Sequence, residues 1–314
     1  MLAKGPKEIE FALPLRGLHN GTAYHGIPKG FTQSVNNFLP CDSLNRFRIG
    51  KRPGLSKFWS YQFGGGAKFI QHMSVAVGQQ ASAGTSATYI IIVAGGRTYR
   101  QVASSGSVVR IDAVDDSQVF QAGRKVAGFT LYNRTYLTDG IVKFYINHTD
   151  ATFTSWTATA GTFPISNSEF PRQIVAWRGR AVLTQLDKGL GSLIFFSAQA
   201  DPPSDFLYGA TATPIIAVAT NSNFRAGQLG QGIITALIPV NEDRLVVSTD
   251  HGLYEFVGDP ADGGSFLPIE ESVGILSDTA WCSVGDALYF VGTGGFYRSR
   301  RGQPCVNLSR EAWM

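Results

Sequence analysis

Ile233-Ile-Thr-Ala-Leu-Ile-Pro-Val240, Asn241-Glu-Asp243, Arg244-Leu-Val-Val-Ser-Thr249, Asp250-His-Gly252 and Leu253-Tyr-Glu-Phe-Val257 follow one another without interruption. Three strand-like segments alternate here with two tight polar turns. The central segment is apolar at consecutive positions, as expected of a strand covered on both faces. Asn-Glu-Asp and Asp-His-Gly are turn chemistry. A meander of this size cannot bury both of its faces alone, so it must be stacked against others like it.

The same cassette recurs. Thr279 to Val284, Gly285-Asp286, Ala287-Leu-Tyr-Phe-Val291, Gly292-Thr-Gly-Gly295 and Phe296-Tyr-Arg298 form a second copy. Three earlier stretches fit as well. They are Lys68 to Val77 with Tyr89 to Ala94 and Thr98 to Val102; Lys125 to Tyr132 with Thr135 to Thr138 and Ile141 to Ile146; and Gln173 to Trp177 with Arg180 to Thr184 and Leu193 to Phe196. The second strands start near Tyr89, Tyr136, Val182, Leu245 and Leu288, at intervals of 47, 46, 63 and 43 residues. Repeats of about 40–50 residues, each a small antiparallel meander, are the signature of propeller blades. The expected fold is therefore all-β: a β-propeller with five visible blades, six if residues 200–232 or the N-terminal arm form one, with an extended N-terminal arm. The expected boundaries are 1–45 for the arm and 46–314 for the propeller. Arg46-Phe-Arg-Ile49 alternates as a strand and is a candidate to close the last blade beside Cys305-Val-Asn-Leu308.

Composition agrees with this. The chain of 314 residues has 16% charged residues, 44% hydrophobic residues and 36 glycines, against roughly 25% charged and about 7% glycine in an average domain. Disorder and long-helix proteins are excluded by that mix. The longest apolar run, Tyr89 to Ala94, is far short of the ~20 residues of a membrane-spanning helix. Met1 to Phe11 carries Lys4, Lys7, Glu8 and Glu10 and has no apolar core, so no secretory signal and no membrane partner are expected. Three cysteines without CxxC spacing suggest reduced thiols and neither a disulfide framework nor a metal site. The net charge of +4 is unevenly spread: residues 1–57 hold nine basic side chains against three acidic ones. A second basic knot, Arg298, Arg300 and Arg301, lies near the C-terminus and suits a guarded strand edge, a phosphate or an acidic partner surface.

No catalytic motif accompanies the five histidines, and no cofactor is expected. Gly64-Gly-Gly66 and Gly292-Thr-Gly-Gly295 lack the Lys-Ser/Thr and helix of a phosphate loop. Asp139, Asp187, Asp243, Asp250 and Asp286 fall in turns, where an Asp normally bonds nearby backbone. Asp150-Ala-Thr-Phe-Thr-Ser155-Trp156 looks like a degenerate Asp-box, a folding element of sialidase-type propellers. Tyr99, Tyr145, Tyr254 and Tyr297 recur on the third strands and suit either blade packing or a carbohydrate surface.

Val35-Asn-Asn-Phe38-Leu-Pro40-Cys-Asp42-Ser-Leu-Asn45-Arg-Phe-Arg48-Ile-Gly50-Lys-Arg-Pro53-Gly-Leu55 is the most distinctive segment. It resembles the opening of the tail nozzle proteins of short-tailed bacteriophages, also called packaged-DNA-stabilisation or head-completion proteins. There an extended arm leads through an Arg-rich strand and an Arg-Pro-Gly turn into a propeller. Looser similarity continues through Arg172 to Arg180 and Phe195 to Phe206. The resemblance implies a non-enzymatic virion component, assembled in the host bacterial cytoplasm. It implies a homo-oligomeric ring, six copies in related tails, below the portal and its adaptor. The ring would contact a needle or plug and the tail fibre or spike proteins, with packaged DNA passing through its lumen. Phe11, Leu13, Leu15, Ile27 and Phe31 in the arm are the candidate subunit-interface residues. Arg46, Arg48, Lys51 and Arg52 are candidates for an interface or a DNA-facing contact. A carbohydrate-binding (lectin or adhesion) propeller and a glycoside-active one are the alternatives.

Overall fold

The computed structural model describes residues 63, 69–79, 86–102, 106–112, 119–165, 169–185, 193–207 and 232–309, and the backbone of five short strand segments outside them. The chain forms two compact units. One comprises Met1–Ser60, Gly294–Tyr297 and Val306–Met314; the other comprises Tyr61–Thr293 and Arg298–Cys305.

In the smaller unit, β1 (Gly17–Leu18) pairs in parallel with β2 (Phe31–Thr32). Strands β3 (Phe38–Cys41) and β4 (Phe47–Lys51) form an antiparallel pair with Phe38 opposite Lys51 and Cys41 opposite Phe47. Phe47–Lys51 is thus a strand, as expected of this segment (Arg46 lies outside the described residues), and among the described residues its ladder partner is Phe38–Cys41 and not Val306–Asn307. A hairpin between sequence neighbours closes a short loop and costs little chain entropy.

The larger unit is built from four-stranded antiparallel meanders. The first sheet is β5 (Ile70–Gln79), β6 (Ser86–Ala94), β7 (Arg97–Val102) and β8 (Val108–Arg110). The second is β9 (Ala127–Leu131), β10 (Arg134–Thr138), β11 (Lys143–Asn147) and β12 (Phe153–Ser155). A parallel pair, β13 (Ala160–Gly161) with β17 (Asp205–Phe206), brackets the third sheet. That sheet holds β14 (Gln173–Trp177), β15 (Arg180–Thr184), β16 (Ile194–Phe196) and β18 (Val218–Ala219). The fourth is β19 (Ile234–Asn241), β20 (Arg244–Thr249), β21 (Leu253–Val257) and β22 (Ser265–Glu270). The fifth is ordered β23 (Trp281–Val284), β24 (Ala287–Gly292), β25 (Gly295–Arg300) and β26 (Val306–Asn307), of which Gly295–Tyr297 and β26 are counted in the smaller unit. These are the five cassettes, and the fold is all-β, a β-propeller. The one long interval has a structural cause: the chain between β16 and β19 supplies β17 and the fourth strand of the third blade.

Alternation along the second strands joins the blades. On β15, Val182 enters a cluster with Leu245, Val247 and Phe256 of the fourth blade. Its neighbours Ala181 and Leu183 enter a cluster with Tyr136 and Trp156 of the second. On β10, Leu137 packs with Tyr89, Ile91 and Val93 of the first blade, while Tyr136 faces the third. Burying a residue of this size contributes about 1.5–3 kcal/mol, and the apolar continuity of these strands follows from having two such faces.

Turn glycines do two different jobs. Gly95, Gly96, Gly140, Gly294 and Gly295 have positive φ, as the hairpins require. Gly252 does not; a Cβ there would lie 3.0 Å from the Tyr254 hydroxyl oxygen and 3.1 Å from the Glu270 carbonyl oxygen, so close approach demands the glycine.

Two histidines pack at the seams, His148 buried and His72 partly buried. His148 is stacked on Tyr89 at 4.9 Å and bonded through Nε2 to Thr135 Oγ1 at 2.9 Å. His72 donates from Nδ1 to the Val126 carbonyl at 3.1 Å, and its Nε2 accepts from Ser74 Oγ at 2.9 Å. Desolvation is the main cause that lowers both from 6.5 to about 4; the Lys125 charge adds to it at His72 and the Arg100 charge at His148. The unfolded chain therefore binds these protons first. Stability from each is complete above about pH 6.5 and is lost as pH falls toward about 4, by about 3 kcal/mol per histidine. Urea unfolding of the His148→Gln variant should fall less steeply across that window than unfolding of the parent. Equal slopes would show that His148 is not buried neutral.

Candidate functional site

Inner strands β5, β9, β14 and β19 lie side by side, and the chain leading into them surrounds a cavity of about 490 Å³. Charged groups in its wall are Arg124, Lys125, Asp139, Arg172 and Asp278. Each has a partner. Lys125 pairs with Asp278, Arg124 Nη1 donates to the Asp139 carbonyl at 3.2 Å, and Arg172 Nη2 donates to Glu169 at 2.7 Å. The Asp139 carboxylate accepts from the backbone N–H groups of Gln121, Ile141 and Val142. Amides stitch blade to blade here: Gln173 Nε2 donates to the Thr235 carbonyl at 2.6 Å, and Gln71 Nε2 to the Gln121 carbonyl at 2.8 Å. The polarity of this cavity is spent on holding the blades together.

The seams between blades carry a second polar system, repeated by position. Arg134, Arg180 and Arg244 each open the second strand of their blade. At the second seam, Arg134 Nη1 reaches Asp201 of the next blade at 3.4 Å. At the third, Arg180 Nη2 reaches Asp259 at 3.4 Å while Nη1 donates to the Ser197 carbonyl at 2.9 Å. Both acids follow a third strand and precede a proline (Asp201-Pro202, Asp259-Pro260). Asp259 also caps the 3-10 turn Pro260–Asp262 by accepting from the Ala261 N–H. Arg178 reinforces the third seam with bonds to the Glu242 and Gly258 carbonyls at 2.7 and 2.8 Å.

The fourth seam differs. Arg244 is 2% exposed. Its Nε donates to Glu255 Oε2 at 3.1 Å, and its Nη1 to the Asp286 carbonyl at 3.1 Å. Its Nη2 is buried without a hydrogen-bond partner, as is Arg300 Nε. Arg301 Nε lies 3.1 Å from Glu255 Oε1. Arg244, Glu255, Arg300 and Arg301 line one cavity of about 450 Å³, with Val257, Leu267 and Ile269 among its apolar walls.

The interface candidates Phe11, Leu13, Leu15, Ile27 and Phe31, and the basic candidates Arg46, Arg48, Lys51 and Arg52, have side chains that lie outside the described residues. The C-terminal basic knot, by contrast, places Arg300 and Arg301 in the fourth seam. Among the third-strand tyrosines, Tyr99, Tyr254 and Tyr297 are buried within blades, which favours packing over a carbohydrate surface. Trp156 of the Asp-box-like turn is buried, its indole N–H donating to Ser204 Oγ at 2.9 Å, and Asp150 accepts from the Thr152 N–H and hydroxyl. That turn is a folding element. Sequence reasoning missed Arg134, Arg180 and Arg244; their recurrence at strand heads was the signal available.

No family model and no curated protein matches the chain. Among solved structures, it is similar to the extracellular domain of the hybrid two-component system BT4673 from B. thetaiotaomicron. The identity there is 11% and the TM-score 0.48, over 86% of this chain and 32% of that one. It is also similar to YCF48 bound to D1 peptide, with 11% identity and a TM-score of 0.39 over 70% of this chain and 64% of that one. The chain thus spans about a third of the length of the BT4673 domain.

The seams can be weighed by mutation. Arg180→Ala removes a buried guanidinium with charge-assisted bonds and should cost about 2–4 kcal/mol in denaturant unfolding. Arg134→Ala, whose acid Asp201 is mostly exposed, should cost less than about 1 kcal/mol. Equal losses would contradict the ranking by burial.

Proposed function

We propose that the chain is a ring-forming structural subunit of a short-tailed phage tail, the nozzle below the portal and adaptor. Its role there is assembly and containment of packaged DNA. The observation that carries this reading is an apolar row on strand β5. Ala76 is buried against the second blade, whereas Met73, Val75 and Val77 on the opposite face are 59%, 65% and 62% exposed. An exposed apolar row on a strand whose other face is already packed marks an interaction surface. The resemblance of residues 35–55 to nozzle proteins supports a second copy as the covering partner.

Magnitudes limit what this row does alone. Three residues of this type contribute at most about 5–9 kcal/mol when fully buried. Association costs about 4–15 kcal/mol in lost freedom and ordering. Ring formation therefore needs further surface, which this reading assigns to the arm and its Phe11, Leu13, Leu15, Ile27 and Phe31.

Negative-stain imaging of the purified chain with its adaptor complex tests the proposal, with closed rings expected. Val75→Asp should abolish the rings while leaving the circular dichroism spectrum and unfolding midpoint unchanged, because the side chain already faces water. A monomer with micromolar glycan affinity, or rings that persist in Val75→Asp, would sink it.

A further inference from the structure

The seam arginines form a series in which one member lacks its partner. Arg134 and Arg180 each meet the Asp of an Asp-Pro pair that follows the third strand of the next blade. After β25 the corresponding pair is Gln303-Pro304, and the two residues at the strand's end are Arg300 and Arg301. A carboxylate is thus replaced by a neutral amide, and two more cations stand beside the position it would occupy. Among the described residues of the cavity wall Glu255 is the one acid, so three guanidiniums face one carboxylate there.

Burying a guanidinium without a full set of acceptors is costly, because the group has five donors and cannot shed its charge. At the third seam that cost is offset by Asp259 and the Ser197 carbonyl. At the fourth, Arg244 Nη2 and Arg300 Nε are unsatisfied. The cavity that they share with Arg301 measures about 450 Å³, within the roughly 300–1,000 Å³ of small-molecule sites. It is too large for a single ion alone, and Val257, Leu267 and Ile269 give it walls for an uncharged body.

We infer that the seam between the fourth and fifth blades is a binding site for a small dianionic molecule, a phosphate monoester or a dicarboxylate. One oxyanion takes the place held by Asp201 and Asp259 at the two preceding seams. Two negative charges match the excess of three guanidiniums over one carboxylate. Planar guanidinium forks bind carboxylate and phosphate oxygens in pairs, which a lysine does not do. The site is independent of ring assembly, since it lies between two blades of one chain.

Calorimetric titration of the full chain at constant ionic strength, with inorganic phosphate, glucose 6-phosphate and succinate as probes, tests it. Saturable one-to-one binding of a phosphate probe assigns a phosphate ligand; binding of succinate alone assigns a dicarboxylate. The decisive variant is Gln303→Asp, which restores the Asp-Pro pair. It should raise the unfolding midpoint without ligand and abolish binding, because the protein then carries its own anion. Arg301→Gln, at an exposed position, should weaken binding about tenfold, the loss of one charge-assisted bond. Absence of saturable binding by every probe up to about 10 mM, or binding that survives Gln303→Asp in a folded protein, overturns the inference.

Discussion

Everything in the larger unit depends on covering both faces of each small sheet. A four-stranded meander has too little area to fold alone, so each blade is stable only as a neighbour's wall. The consequence is visible on β15, where Val182 serves one seam and Ala181 and Leu183 serve the other. A strand in that position has no solvent side, and every residue from Arg180 to Thr184 is buried. The inner strands obey a further limit, since they must approach one another closely. A Cβ on Gly128 would lie 2.8 Å from His72 Cε1, so that strand crossing needs a glycine where the imidazole lies against the backbone.

Where a seam is buried, its polar groups depend on partners within the protein. His72 and His148 meet this by staying neutral, and Gln71 and Gln173 by donating to the backbone of the following blade. The seam arginines cannot become neutral. They are acceptable only where carbonyls and carboxylates are carried to them by the next blade. This makes the arginine–aspartate pair a positional lock, which fixes the offset between successive blades as well as adding to stability.

The repeat was legible in the sequence because apolar runs and turn residues are local signals. The starts of all five second strands follow from them. Partner choice was less legible: Phe47–Ile49 reads correctly as part of a strand, but its pairing with Phe38–Cys41 depends on loop closure and not on its own pattern. The 63-residue interval likewise read as an insertion or an extra blade, because a two-residue fourth strand, Val218–Ala219, leaves no periodic trace. The seams were the least legible part. Arg134, Arg180 and Arg244 recur at strand heads, and Asp-Pro recurs after third strands, but the two are 67 and 79 residues apart where they meet. Only the register of the strands turns two separate repeats into one interaction.

That register also gives a departure from the repeat its meaning. In an isolated sequence, Gln303-Pro304 is an ordinary turn and Arg300-Arg301 an ordinary basic pair. In the propeller Gln303-Pro304 follows the third strand of the fifth blade, as the Asp-Pro pairs follow those of the third and fourth, and both pairs line one cavity with Arg244. Gln303 and Pro304 are themselves exposed, but they border the cavity in which the nearly inaccessible Arg244 guanidinium has an unpaired Nη2. The cavity lined by Arg124, Lys125 and Arg172 shows the opposite state: it is of similar size, but its arginines and lysine are paired with acids and carbonyls of the chain itself. Two cavities in one fold thus differ in whether their charge is already answered. The unanswered one has the stronger physical claim to a ligand, because an anion arriving there replaces a bond that the fold makes elsewhere for itself.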